Sequence, residues 1–375
     1  MRLAFTIQKY NPEIDQHPHD EIYHLDVSPG LTILDALIRL KNEEDGRLTF
    51  RYSCRSAICG SCAMEINGSE KLACRTSIRK EWERHREITV APLKNLAVIK
   101  DLAVDMRSFW QKNRTIVPWL LSREGARLSE RRSAETSRLQ SAPGPWENGP
   151  VSAGPGREGG IGGWNENKVV AREKELSTPD LAVFHNVDAC IQCGACVAAC
   201  TSHEADRHFL GPAALAKAYR FVADTRESED ARNARLATLQ EPAGMWDCTR
   251  CNFCVQVCPK DVQPMEAIIR LRRAAIERGL TNTGGARHVI GFRDLIAKYG
   301  RLNEALMPLK VIGLNVRHFL SVLPLGLRML VKGKVPSPLH PRIKGVEHIR
   351  AILERSGPRR DVSHLRPDAH GEADG

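Results

Sequence analysis

Twelve cysteines, arranged as three sets of four with none left over, constrain this 375-residue chain more than any other feature. The first set, Cys54, Cys59, Cys62 and Cys74, is spaced C-x4-C-x2-C-x11-C. The second (Cys190, Cys193, Cys196, Cys200) and the third (Cys248, Cys251, Cys254, Cys258) both read C-x2-C-x2-C-x3-C. Plant-type spacing holds a [2Fe–2S] centre and paired bacterial runs hold two cubane-type clusters. One [2Fe–2S] and two [4Fe–4S] centres, at four thiolates each, use every cysteine. No acid–base pair or nucleophile stands out, so no catalytic residue is assigned.

In two-cluster ferredoxins the fourth cysteine of each run ligates the other cluster. The expected sets are therefore Cys190, Cys193, Cys196 and Cys258 for one cubane, and Cys200, Cys248, Cys251 and Cys254 for the other. This crossing pins the two runs together across the 47 residues between them. Pro259 follows the last cysteine, as the bacterial pattern expects, whereas the earlier run has Thr201 there. Paired C-x2-C elements alone often bind zinc. Three cysteines at x2 spacing with a fourth at x3 suit successive corners of a cubane better than a tetrahedron. Disulfides are not expected, because the first twelve residues lack the apolar core of a secretory signal and the compartment should be reducing.

The expected fold class is α+β, with two domains. Residues 1–97 should form a β-grasp, plant-type [2Fe–2S] ferredoxin domain. Leu3, Phe5 and Ile7 alternate, as do Tyr23, Leu25 and Val27, giving two half-buried strands. Thr32 and Asp35 form a capping-box signature ahead of a helix whose apolar side carries Ile33, Leu34, Leu37 and Leu40. Small residues (Ser56, Ala57, Gly60, Ser61) let the backbone wrap closely between Cys54 and Cys62. The Asn67-Gly68 pair predicts a tight hairpin that returns Cys74 to the site. Residues 98–121 are expected to be a connecting helix, running from about Val98 to Gln111, with Leu102, Met106 and Phe109 on one face.

Residues 122–178 read as a flexible insertion. Between 141 and 165, eight glycines and four prolines occur in 25 residues, too little apolar content to offset ordering entropy. Trp119, Trp146 and Trp164 leave a docking role open. Residues 179–283 should form an α-helical ferredoxin domain. Its helices open at Pro212, near Asp230 and at Pro264, the last carrying Arg272, Arg273 and Arg278 toward its negative end. The chain's formal charge is +10, and residues 287–355 hold 13 Lys/Arg against 4 Asp/Glu. This basic region (284–355) should pack on the helical domain, or dock on a partner or an anionic membrane surface. Its stretch 311–331 is too interrupted to cross a bilayer. Residues 356–375 should be a disordered tail.

The segments RYSCRSAICGSCAMEINGSEKLACRT (51–76), VIKDLAVDM (98–106) and VQVCPKDVQP (255–264) resemble the iron–sulfur subunit of succinate dehydrogenase and fumarate reductase. The resemblance covers about 1–120 and 185–282 and implies electron transfer between the FAD of a flavoprotein subunit and a quinone-linked membrane partner. It also implies that the [2Fe–2S] domain faces the flavin, and that the chain sits peripherally on the cytoplasmic face of the membrane. Three departures stand out. Cys251 occupies a position that is non-cysteine in usual members, which carry a [3Fe–4S] centre there; a full [4Fe–4S] is expected here, with [3Fe–4S] the alternative. Residues 201–205 (Thr-Ser-His-Glu-Ala) lack the aromatics of the usual quinone pocket, and Thr249 replaces its histidine. The extension from Gly284 resembles variant members related to heterodisulfide reductase subunits, whose membrane partner is cysteine-rich.

Two other readings remain. The chain could serve another flavoprotein system, heterodisulfide-reductase-like or oxidising 2-hydroxy acids, although such subunits usually lack the plant-type domain. A nucleic-acid-binding role draws only on the basic region, where aromatics are sparse and no recognition motif occurs, so no nucleic-acid partner is expected.

Overall fold

The computed structural model describes residues 2–28, 30–121, 178–313, 316–334 and 341–355. The expected insertion, apart from Thr178, and the expected tail lie outside these residues, as do Trp146 and Trp164.

Among the described residues, seven strands fall in the N-terminal half: β1 (Arg2–Lys9), β2 (His19–Asp26), β3 (Ala63–Ile66), β4 (Ser69–Leu72), β5 (Ile88–Ala91), β6 (Val98–Lys100) and β7 (Ala103–Val104). The first five form a mixed sheet in the order β2-β1-β5-β3-β4. β1 pairs antiparallel with β2 from Arg2↔Asp26 to Lys9↔His19, and parallel with β5. Period-2 patterning puts Leu3, Phe5 and Ile7 of β1 into the core, where they meet Leu25 and Val27. Helix α1 (Ile33–Glu43) closes this face with Ile33, Leu34, Leu37 and Leu40, all buried. The Thr32 hydroxyl accepts from the Asp35 N–H at 3.3 Å while Asp35 accepts from the Thr32 N–H at 2.9 Å. Such a reciprocal cap contributes about 1 kcal/mol. Sheet and helix together make the expected β-grasp.

The connecting helix departs from expectation. Its helical spacing at Leu102, Met106 and Phe109 is real, yet residues 98–104 form the β6–β7 hairpin. A local preference and a tertiary anchor act together. Val98, Ile99 and Val104 favour extended backbone, and Asp101 sits in the left-handed region at φ 46°. Its carboxylate accepts from the Tyr10 and Thr49 N–H groups at 3.1 and 2.8 Å, so the turn is anchored to the sheet domain. Helix α2 (Ile78–His85) lies earlier, on β5, and helix α3 begins only at Arg107 and ends at Thr115.

Beyond residue 178 the structure is helical: α4 (Pro212–Ala223), α5 (Glu229–Leu239), α6 (Pro264–Glu277), α7 (Gly284–Tyr299), α8 (Met307–Ile312), α9 (Val316–Val331) and α10 (Val346–Arg355), with shorter turns around the cysteines. α4 and α6 pack together through Leu215, Tyr219, Ile268 and Leu271. The two domains share cores. Val197, Ala198 and Ala213 join the N-terminal core, and Ile116 joins the helical one. Arg235, buried on α5, donates to the carbonyls of Ile116, Val117 and Trp119 and pairs with Glu227 at 2.6 Å. That cluster clamps the connector to the helical domain. α7 and α10 belong to the same body: a Cβ on Gly285 would lie 2.7 Å from the Trp246 ring, and Arg350 donates to Ala297 O at 2.8 Å.

Candidate metal centres

The plant-type set lies on a loop that runs from Cys54 to Cys62 and on the turn after β4. Arg55, Ala57 and Gly60 all take positive φ, which alternates the backbone hand along the loop. Alternation of this kind turns successive N–H groups toward one point and makes an anion-binding concavity. The Cys54 thiol accepts from the N–H groups of Ser56, Ile58 and Cys59 at 3.3–3.4 Å. These donors hold it well down, at about 6, although it is fully exposed. Cys62 is buried, and desolvation pushes it up to about 12, with Cys74 and Cys59 adding like charge. The Asn67-Gly68 hairpin, both residues at positive φ, performs the expected return: Ala73 N–H bonds Cys62 O at 3.0 Å and brings Cys74 beside Cys62. One side of this site is therefore open and the other lies in the core.

The two bacterial runs fold alike. In each, the residues flanking the second cysteine are left-handed: Gln192 and Gly194 around Cys193, Arg250 and Asn252 around Cys251. A short helical turn follows each, Ala195–Ala198 and Phe253–Gln256. Cys190, Cys193, Cys196 and Cys258 line one cavity, with Gly194, Ala213, Val262 and Pro264. Cys200, Cys248, Cys251 and Cys254 line a second, with Thr249, Phe209 and Ile268. Each cavity thus takes three thiols from one run and the fourth from the other. Among the described residues no three such side chains converge on a point suited to a single bare ion. The thiols ring their cavities instead.

The donor chemistry suits clusters. Burial pushes Cys196 well up, Cys193 to about 11 and Cys254 to about 12, so iron bound there would have to displace a proton from each. Burial works the same way on Cys251, but the Phe253 N–H and the Thr201 and Thr249 hydroxyls outweigh it and leave that thiol lowered. Gln192 Nε2 donates to Cys190 Sγ and Val262 N–H to Cys258 Sγ, both at 3.3 Å. Bonds of this type are a lever on cluster potential.

The three sites touch in sequence. A Cβ on Gly60 would lie 2.8 Å from Cys193 Cβ, so the plant-type loop presses directly on the first cubane run. Arg75, next to Cys74, donates to Pro259 O at 3.0 Å, next to Cys258. Asn95 Nδ2 donates to the carbonyls of Val197, Ala198 and Cys200 at 2.8–3.2 Å, on the stretch linking the third and fourth cysteines of the first bacterial run.

Residues 4–111 match the 2Fe-2S iron-sulfur cluster binding domain, and residues 186–262 match the 4Fe-4S dicluster domain. The fumarate reductase iron-sulfur subunit of Haemophilus influenzae is 34% identical over 71% of this chain and 90% of its own length. The chain belongs to the iron–sulfur subunits of succinate dehydrogenase and fumarate reductase. The fumarate reductase iron-sulfur subunit of Mycobacterium tuberculosis is 32% identical over 74% of this chain and 95% of its own length. The succinate dehydrogenase iron-sulfur subunit of Paracoccus denitrificans is 30% identical over 73% and 88%. A chain in the structure titled "Mycobacterium smegmatis Sdh1 complex in the apo form" shares the fold at TM-score 0.54 and 20% identity, over 74% of this chain and 97% of that one.

Membership of this family makes the chain an electron-transfer subunit of an oxidoreductase complex, carrying a [2Fe–2S] and further cubane-type centres. Of the residues in which it departs from the usual pattern, Ser202, Thr249 and Cys251 line the second cubane cavity. Thr201 Oγ1 lies 3.6 Å from Cys251 Sγ, and Ser202 Oγ accepts from the Thr249 N–H at 3.3 Å. Sequence reasoning missed Arg272, which was expected only to offset a helix dipole. Its guanidinium donates to Met245 O and Cys248 O at 2.6–2.9 Å and so fixes the start of the last run. Asn95 and Arg235 were also missed: their carbonyl partners lie more than a hundred residues away, for which sequence carries no signal.

Proposed function

We propose that Cys54, Cys59, Cys62 and Cys74 hold a [2Fe–2S] cluster. Cys190, Cys193, Cys196 and Cys258 hold a [4Fe–4S] cluster, and Cys200, Cys248, Cys251 and Cys254 a second one. With these the chain relays electrons between the FAD of a flavoprotein subunit and a quinone-linked membrane partner of the succinate dehydrogenase/fumarate reductase type. The observation that carries this reading is the crossed lining of the two cavities, three thiols from one run and one from the other, with Gly60 of the plant-type loop against the first. When bound, the clusters supply one-electron redox chemistry.

The protein's own part is ligation, insulation and tuning. Alternating backbone hand presents N–H groups to anionic sulfur. Val197 in the N-terminal core, and Phe209, Ile268 and the α4–α6 core, keep water from the inner thiols. The hydroxyl of Thr201 and the Phe253 N–H favour a charged sulfur at Cys251, which raises the potential of the outer centre relative to one without them. The open side of the plant-type site, where Ile58 stands 64% exposed beside Cys54 and Cys59, is the face for the flavoprotein. The exposed Cys251 and Phe253 mark the opposite exit, toward a membrane-anchor subunit or a cysteine-rich, heterodisulfide-reductase-like one. No described helix is long and apolar enough to cross a membrane, and peripheral attachment at the cytoplasmic face completes the proposal.

Electron paramagnetic resonance of the anaerobically isolated complex tests this reading. Succinate should reduce the clusters through the flavoprotein. Clusters that respond to dithionite and ignore succinate would move the chain to a different flavoprotein system.

A further inference from the structure

Among the described residues, none of helix α9 belongs to either core, and no element packs extensively against it. Leu320, Leu323, Leu327, Leu330 and Val331 recur at steps of three, four and one along it and share one face. All are exposed, from 41% at Leu323 to 87% at Val331. A solvated helix of an ordinary soluble domain does not carry such a stripe. Its 16 residues, interrupted by Pro324, are also too short to cross a bilayer.

The charge around it points one way. Between Glu304 and Glu347 lie seven Lys/Arg and no Asp or Glu. Arg328 stands at the flank of the apolar stripe, and exposed Lys332 and Lys334 follow the last helical turn. Arg342 and Lys344 come next, also exposed. Of the seven, Lys310 is paired with Asp294 at 3.0 Å. An apolar face flanked by the remaining cations, in a stretch of sequence without acidic residues, is the complement of an anionic lipid surface: acyl chains take the leucines and headgroups take the basic residues. A protein groove would need its own acidic rim to answer the same charges; a bilayer supplies it continuously.

We infer that α9 is an interfacial anchor, lying in the plane of an anionic membrane with Leu320, Leu323, Leu327 and Leu330 among the acyl chains. The chain thereby holds the membrane directly, in addition to any hold through a partner subunit. The inference does not depend on the ligand sets, since α9 lies outside both cluster domains.

Flotation of the complete, cluster-loaded chain with vesicles tests it. Vesicles containing phosphatidylglycerol should carry the protein up, and pure phosphatidylcholine vesicles should do so far less. Each basic residue near the surface is worth about fivefold, and added salt should weaken the binding. The double variant Leu323→Glu, Leu327→Glu should lose about tenfold or more in vesicle affinity. Both positions are exposed, so its cluster absorbance and melting temperature should stay at wild type. Wild type that remains in solution with anionic vesicles, or a variant that floats as well as wild type, would overturn the inference. So would wild-type self-association that the variant abolishes, without vesicle binding by either; α9 would then be a contact between copies.

Discussion

Gly60 is where the plant-type loop meets the first cubane run, and Gly60→Ala measures how tight that meeting is. Two costs are separable. At φ +72° an alanine is strained whatever the space, by about 1 kcal/mol. The added Cβ would also meet Cys193 Cβ at 2.8 Å, Cys193 Cα at 3.0 Å and Ile191 O at 3.1 Å. These are backbone or nearly backbone atoms, so one loop must move, and overpacking of this kind costs about 1–3 kcal/mol. Gly68→Ala is the built-in control. Gly68 has φ +71° but nothing within 4 Å of its would-be Cβ, so it bears the conformational cost alone. Thermal unfolding followed through cluster absorbance should place Gly60→Ala below Gly68→Ala by about 1–3 kcal/mol. Equal losses would refute the claim that the two loops are in contact.

Cys258→Ser should abolish the cubane site of the other run (Cys190, Cys193, Cys196) and spare its own, while Cys251→Ser should convert one [4Fe–4S] centre to [3Fe–4S]; resonance spectra of each variant read the outcome. Arg235→Leu leaves Glu227 charged and buried and strips donors from Ile116, Val117 and Trp119, so unfolding free energy should fall by about 3–5 kcal/mol in a denaturant titration. His203 is held down to about 4 by burial, with Lys112 and Arg207 adding like charge. Between about 4 and the ordinary value of about 6.5 the native state thus binds fewer protons than the unfolded chain. Stability should fall as pH drops from there toward 4, and His203→Gln should flatten that slope; an unchanged slope would place the proton uptake elsewhere.

Much of this architecture is legible in the sequence because it is written in local rules. Alternation at Leu3, Phe5 and Ile7, the Thr32/Asp35 cap and the Asn67-Gly68 turn each act within a few residues, and all three form as expected. The β6–β7 hairpin was misread because Leu102, Met106 and Phe109 satisfy helical spacing, while the force that overrides it is tertiary. Asp101 is drawn into a turn by N–H groups from Tyr10 and Thr49, far away in the chain. In the cubane runs, Gly194 and Asn252 occupy matching places after the second cysteine, and both types tolerate left-handed backbone. That pairing was a readable sign of the alternating loops; Gln192 and Arg250, equally left-handed, gave none. The basic region was legible as apolar and cationic, but only the structure separates α7, α8 and α10, which fold back on the helical domain or on one another, from α9, which does not.

The three-centre account rests on iron, and iron can be counted. Anaerobically prepared, fully loaded chain should contain about ten iron atoms, two in the plant-type site and four in each cubane, with acid-labile sulfide in the same amount. A plateau near two, with zinc making up the cysteine sites, would contradict the account at its centre; a plateau near nine would remove Cys251 from the ligand set.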